Sequence, residues 1–274
     1  MNAPENTQNN ASGQAPEPTT APPFAPLAQN TFDGVALARK LLRATPAGAL
    51  ATLTRESGYP FASLTSVATD SDGAPLLLLS GLAHHTRNLR ADPRGSLLLA
   101  EGGKGDPLAH PRLTVVGRLA PTDDARARAR FLRRHPKAAL YADFPDFAFW
   151  RLEPEAAHLN GGFARAADYS GASLLTDLAG ADELLAGEEA LLEEINALPR
   201  EQRGALAAAA GEDAALNWRA VGLDPEGLDL AAPQQTARLV FSRPAPSPAV
   251  SPAAWRDALA AAAEPFLVNA PGAD

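Results

Sequence analysis

The stretch whose reading decides the fold is Pro75–Glu101, PLLLLSGLAHHTRNLRADPRGSLLLAE. Two apolar runs, Pro75–Ser80 and Ser96–Ala100, have the length and composition of strands. Between them lies a polar segment carrying His84, His85, Thr86, Arg87 and Asn88. It reads as a short helix over His85–Ala91, ended by Asp92-Pro93. Donors gathered between a strand end and a helix start suit a bound anion. They also suit an ordinary exposed helix start, because helix N-termini attract polar residues with or without a ligand.

Working outward, the residues before this stretch alternate. Ala49–Arg55 (ALATLTR) and Phe61–Asp70 (FASLTSVATD) read as two strands joined through a Ser-Gly-Tyr-Pro turn. Asp70-Ser71-Asp72-Gly73 is a hairpin turn leading into Pro75–Ser80, which is apolar on both faces and expected to be central. Short turns between successive strands imply an antiparallel meander. An amphipathic helix over Val35–Leu42 precedes them. After the stretch come a strand over Arg112–Ala120 with a bulge at Gly117 and a helix opened by Asp123-Asp124. Two last strands are expected, Phe147–Glu153 and Ala156–Phe163. The arginines from Arg126 to Arg134 read as a solvated helix face.

Composition changes near Ser170–Asp182. From Asp177 to Asp229 acidic residues far outnumber Arg200, Arg203 and Arg219, and the helices there read as solvated faces. Helices around Leu191–Leu198 and Arg203–Ala210, strands near Gly222–Leu230 and Thr236–Ser242, and a helix over Ala253–Ala263 make an α+β unit. The expected organisation is a tail over 1–30, a mainly β domain over 31–172 and a small α+β domain over 178–268.

The chain of 274 residues carries a net charge of −8. That balance argues against non-specific nucleic-acid binding, which needs basic surface to neutralise phosphate. There is no cysteine, which excludes disulfides, thiolate catalysis and zinc–cysteine sites. No apolar run approaches the roughly 20 residues of a membrane-spanning helix, so no membrane partner is expected. Residues 1–30 contain no Lys or Arg and read as a disordered tail, not a signal peptide. A cytoplasmic protein is the expectation.

Taken together, GYPFASLTSVATD, the opening stretch, RLTVVGRL and FWRLEPEAAHLNGGFARA resemble the FMN-binding split-barrel superfamily, which includes pyridoxamine 5′-phosphate oxidase. With GLDPEGLDL and TARLVFSRP added, the chain is most similar to the HugZ-type haem-utilisation subfamily, a split barrel followed by a C-terminal α+β domain. The resemblance implies an antiparallel split β-barrel of six or so strands and a homodimer through the barrel, with FMN in a groove at the dimer interface. Carried over by position, Ser80, Gly81, His85, Thr86 and Asn88 would line the flavin phosphate and ribityl region. Arg87 would add charge to the phosphate. Ser63, Leu64 and Thr65 would run beside the ring system, and Arg165 would approach the flavin or a small-molecule substrate.

The sequence departs from the pattern in three places, one of them being that EEINALPREQRGAL has no histidine where relatives usually carry a His- and Asp-bearing helix. No Lys or Arg lies between Pro60 and Asp70, where the oxidases carry basic residues. No histidine follows His158, whereas haem-binding relatives use one near the C-terminus as an iron ligand. Three functions stand at this point: a flavin-dependent oxidoreductase, a haem-binding or haem-degrading protein, and a non-catalytic ligand-binding module. No metal site, Ser-His-Asp triad, P-loop or GxGxxG fingerprint is visible.

Overall fold

The first sheet is built by alternation. In β1 (Ala47–Leu53) Gly48, Leu50 and Thr52 are buried, while Ala47 and the residues between them reach the surface. The computed structural model describes residues 34–103, 105–162, 165–233, 235–241 and 250–267. The tail expected over 1–30 lies outside them, as do Phe163 and Ala164 of the GGFARA run. After β1 come β2 (Pro60–Ser66), β3 (Ala68–Thr69), β4 (Pro75–Ser80), β5 (Arg94–Ala100), β6 (Arg112–Pro121), β7 (Phe147–Asn160) and β8 (Ala166–Ser170). They form one antiparallel sheet in the order β2-β1-β5-β6-β7-β4-β3, with β8 added on β7.

That order begins at β2 and ends at β3, yet only Val67 separates the two along the chain. The sheet therefore curls until its ends are successive halves of one bent segment, as a split barrel requires. The single strand expected over Phe61–Asp70 breaks at Val67. Its N–H donates to the Pro46 carbonyl at 2.9 Å, and its own carbonyl lies 2.8 Å from His135 Nε2. The barrel core holds Leu50, Leu97, Leu99, Leu113, Leu152 and Leu159. β4 is apolar on both faces for a reason: Leu77 and Leu79 point into this core, while Leu76 and Leu78 pack under Phe131 in a second cluster.

Three helices dress the barrel: α1 (Val35–Ala44), α2 (His84–Ala91) and α3 (Ala125–Arg134). Asp124 caps α3 by accepting from the Arg126 N–H. The two strands expected at Phe147–Glu153 and Ala156–Phe163 are one, because β7 runs straight through Pro154. Proline has no N–H for the ladder, but β7 carries a bulge beside it: Ala156 and Pro154 face the adjacent Val116 and Gly117, so Glu155 is the extra residue that absorbs the mismatch.

The rest of the chain forms α4 (Gly171–Leu174), α5 (Asp182–Ala186), α6 (Glu188–Ala197), α7 (Arg200–Ala209), β9 (Arg219–Asp224), β10 (Gly227–Ala231), β11 (Thr236–Val240) and α8 (Pro252–Leu267). The strands make a separate antiparallel sheet, β11-β10-β9. Leu191, Leu206, Leu230 and the fully buried Trp218 and Trp255 fill its own core. Among the described residues no helix is long and apolar enough to cross a membrane.

Where the second sheet meets the barrel, charge is buried rather than solvated. Asp224 sits between Arg43 of α1, at 2.9 Å, and Arg238 of β11, at 2.7 Å. Asp229 lies 3.0 Å from Arg238 and 3.5 Å from Arg130 of α3. Arg130 also pairs with Glu188 of α6, and its Nε donates to the Thr69 carbonyl at 2.9 Å. Arg43, Arg130, Arg238, Asp224, Asp229 and Glu188 are all buried. Arg126 of α3 and Glu189, Glu193 and Glu194 of α6 are exposed, as expected of solvated faces, but Arg130 and Glu188 depart from that expectation. Each satisfies the other out of water.

Candidate functional site

The polar cluster of the decisive stretch lies on α2, which packs across β1 and β2 at one end of the barrel. Successive β2 side chains alternate, so the three β2 candidates part company. Ser63 turns toward α2 and its Oγ lies 3.0 Å from His85 Nδ1. Thr65 is buried, its hydroxyl donating to the Ser66 carbonyl at 3.3 Å. Leu64 points outward and is 79% exposed, beside Ala49 of β1, whose other neighbour is the outward Leu98 of β5.

Ser80 closes the end of β4. Its Oγ donates to the Asp146 carboxylate at 2.6 Å and accepts the Leu82 N–H at 3.1 Å. The Gly81 N–H donates to the Asp146 carbonyl at 2.5 Å. Within α2, Thr86 is buried, and its hydroxyl has no hydrogen-bond partner among the described residues. Asn88 is buried and its Nδ2 donates to Thr52 Oγ1 at 2.9 Å. Burial, reinforced by the neighbouring His84, holds the His85 imidazole below its ordinary value. Near neutral pH it is therefore an uncharged hydrogen-bonding ring.

Asn88 links the site to the barrel wall. Asn88→Ala removes the partner of a buried hydroxyl and is expected to lower the unfolding free energy by about 1–3 kcal/mol. Urea denaturation followed by tryptophan fluorescence measures it; unchanged stability would show that the bond contributes nothing.

Beside this cluster opens a pocket of about 750 Å³, lined by Arg55, Glu56, His84, Arg87, Asn88, Arg90 and Ala91. That volume is within the usual range for small-molecule sites. Arg87 and Asn88 are the sequence-derived candidates in its lining. Arg87 Nη2 lies 3.3 Å from His84 Nδ1, and the His84 ring leans on Phe61 with centroids 5.7 Å apart. Arg165 is not in the lining. It sits in the turn between β7 and β8, where its backbone bonds Gly161 and Gly162. Near that edge His158 Nδ1 lies 2.6 Å from the Asp168 carboxylate. Sequence reasoning missed Arg55 and Arg90 as site residues. The first reads as the end of a strand but lies in the turn after β1, and the second belongs to the last turn of a helix read from its start.

The family model for the CREG β-barrel matches residues 29–171, the whole first sheet. The chain belongs to the CREG β-barrel family. A solved protein of unknown function from Agrobacterium tumefaciens str. C58 is 37% identical, covers 88% of this chain and all of its own, and superposes with a TM-score of 0.77. The heme binding protein from Mycobacterium smegmatis is 28% identical over 87% of this chain and 99% of its own, with a TM-score of 0.50. Among curated proteins, the chloroplastic "Non-canonical heme oxygenase HOZ" of Arabidopsis thaliana is 38% identical over 134 residues, which is 47% of this chain. The match spans 40% of that relative's own length.

Proposed function

We propose that this CREG β-barrel protein binds haem, with the α2 pocket receiving the ligand's carboxylates. The observation that carries the reading is the pocket's lining: three arginines and a histidine against one glutamate, in a chain of net charge −8. Guanidinium groups pair with carboxylates through two parallel hydrogen bonds, the geometry that an anionic edge needs. The names of the Arabidopsis and Mycobacterium relatives support the same ligand. Bound haem supplies iron chemistry that no side chain offers; the protein's part is to hold, orient and shield it. His84 is the histidine in the lining.

A second reading places the phosphate of FMN in the same pocket and makes the protein a flavin-dependent oxidoreductase. The polar neighbourhood of Ser63, His85 and Asn88 favours it. Titrating the purified chain with haemin and with FMN separates the two. A Soret band that survives gel filtration, without flavin quenching, is the expected result. Flavin quenching without a retained Soret band would put the second reading first. Retention of neither by a folded protein would leave a non-catalytic module for another ligand.

A further inference from the structure

β2 (PFASLTS) contains no basic residue, so the pocket draws its cations from elsewhere. Arg55 comes from the β1–β2 turn. Arg87 and Arg90 stand three apart on α2 and therefore share a helix face. Among the described residues no carboxylate pairs with these three, whereas Arg39, Arg43, Arg130, Arg151 and Arg238 are all ion-paired. Unpaired cations gathered on a concave wall raise the local concentration of anions.

The Arg90 guanidinium lies beside Gly81, as Arg43 lies beside Gly73 and Arg130 beside Gly222. A Cβ at Gly81 would stand 3.1 Å from Arg90 Nη2, 3.5 Å from Nη1 and 3.2 Å from the Asp146 carbonyl oxygen. The guanidinium thus lies against the bare Cα of Gly81. Gly81 is not among the described glycines with left-handed backbone, so its conformation does not call for glycine. The space a side chain would need is shared by the Arg90 guanidinium, which would have to shift by a few tenths of an ångström, and the Asp146 carbonyl oxygen, which is main chain.

We propose that Arg90 is the anchor of an oxyanion site completed by Arg55 and Arg87, and that Gly81 is a positioning residue acting through Arg90. The ligand chemistry is a carboxylate pair or a phosphate monoester. Arg90's fork, laid against Gly81, meets two oxygens at once, and Arg55 and Arg87, exposed as Arg90 is, add charge. This rests on the reading of the pocket as a ligand site. It goes further in naming which cation is preorganised and what preorganises it.

The test uses the full chain and Gly81→Ala, Arg90→Ala and the double variant, each checked for folding by circular dichroism. Anionic probes are haemin, FMN and inorganic pyrophosphate; the uncharged counterparts are haemin dimethyl ester and riboflavin. Arg90→Ala is expected to weaken the anionic probes about 10- to 100-fold, the range of a hydrogen bond to a charged group, and to spare the neutral ones. Gly81→Ala is expected to weaken them several-fold alone and not at all in the Arg90→Ala background, since coupled residues are non-additive. Independent losses from the two changes would overturn the positioning role. Equal losses for charged and neutral probes, or an unchanged Arg90→Ala, would overturn the anchor while leaving haem or flavin binding intact. Wild-type protein that binds pyrophosphate through Arg90 but neither haemin nor FMN would keep the anchor and overturn both cofactor readings. Wild type that binds no anionic probe would overturn the anchor.

Discussion

Replacing Asp224 by Asn should lower the unfolding free energy by about 3–5 kcal/mol, the range for breaking a buried ion pair from one side. Asp224 is fully buried, and its Oδ2 faces Arg43 at 2.9 Å and Arg238 at 2.7 Å. Asn keeps the shape and removes the charge, so two guanidinium groups remain out of water with only Asp229 still near both, 3.0 Å from Arg238 and 3.8 Å from Arg43. Against a total stability of roughly 5–15 kcal/mol that is a large loss. For a chain of this size it corresponds to a melting temperature lower by roughly 10 °C. The acid limb gives a second readout. Burial pushes the Asp224 carboxyl up, but Arg238 and Arg43 outweigh it and hold it at about 2, below its ordinary 3.8. A depressed carboxyl contributes stability that is whole above the unfolded value and is lost as pH falls from near 4 toward 2. The wild type should therefore lose stability more steeply than Asp224→Asn across that window. Equal midpoints for the two proteins at neutral pH would show that the buried charges do not hold the second sheet to the barrel.

Gly117→Ala should be nearly as damaging, by a different route. A Cβ there would stand 2.0 Å from the Glu153 carbonyl oxygen, a main-chain atom fixed in β7. Overpacking of a rigid site costs about 1–3 kcal/mol and occasionally more. With backbone as the obstacle, the upper end, about 3 kcal/mol, is the expectation. Gly102→Ala is the matched control, because nothing lies within 4 Å of its added carbon. Chemical denaturation of both variants decides the point. If Gly117→Ala proved as benign as Gly102→Ala, the bulge would not require glycine.

The barrel was readable because its signals are local. Alternation in ALATLTR, the Asp-Ser-Asp-Gly turn and the doubly apolar Pro75–Ser80 each report their own environment, and all three stand in the structure. The bulge in this pairing was also legible from Gly117, although β7 carries the extra residue. Pro154 misled because the bulge at Glu155 beside it lets β7 stay paired with β6 on both sides of the proline, and that pairing partner lies outside any local window. The same holds for the charges. Arg130 and Glu188 look solvated when each is read on its own helix, and only the meeting of α3 with α6 buries them. At the pocket, Arg87 and Asn88 were found because they follow a strand directly. Arg55 and Arg90 enter through folding of the hairpin and of the last turn of α2. Leu64 and Ser63 were read together, although the pleat sends neighbours to opposite faces.

The curl of the first sheet also sets an order of events during synthesis. β4 leaves the ribosome early, but its barrel partner is β7, with Leu77 beside Trp150. Until residues 147–160 have been made, β4 has β3 on one side and nothing on the other, with leucines on both faces. Arg43 waits longer still, because Asp224 belongs to the second sheet. Pairings so distant along the chain slow folding and leave apolar strand edges open in the meantime. The nascent N-terminal half is thus the chain's most vulnerable form, and the last strands to emerge are the ones that close it.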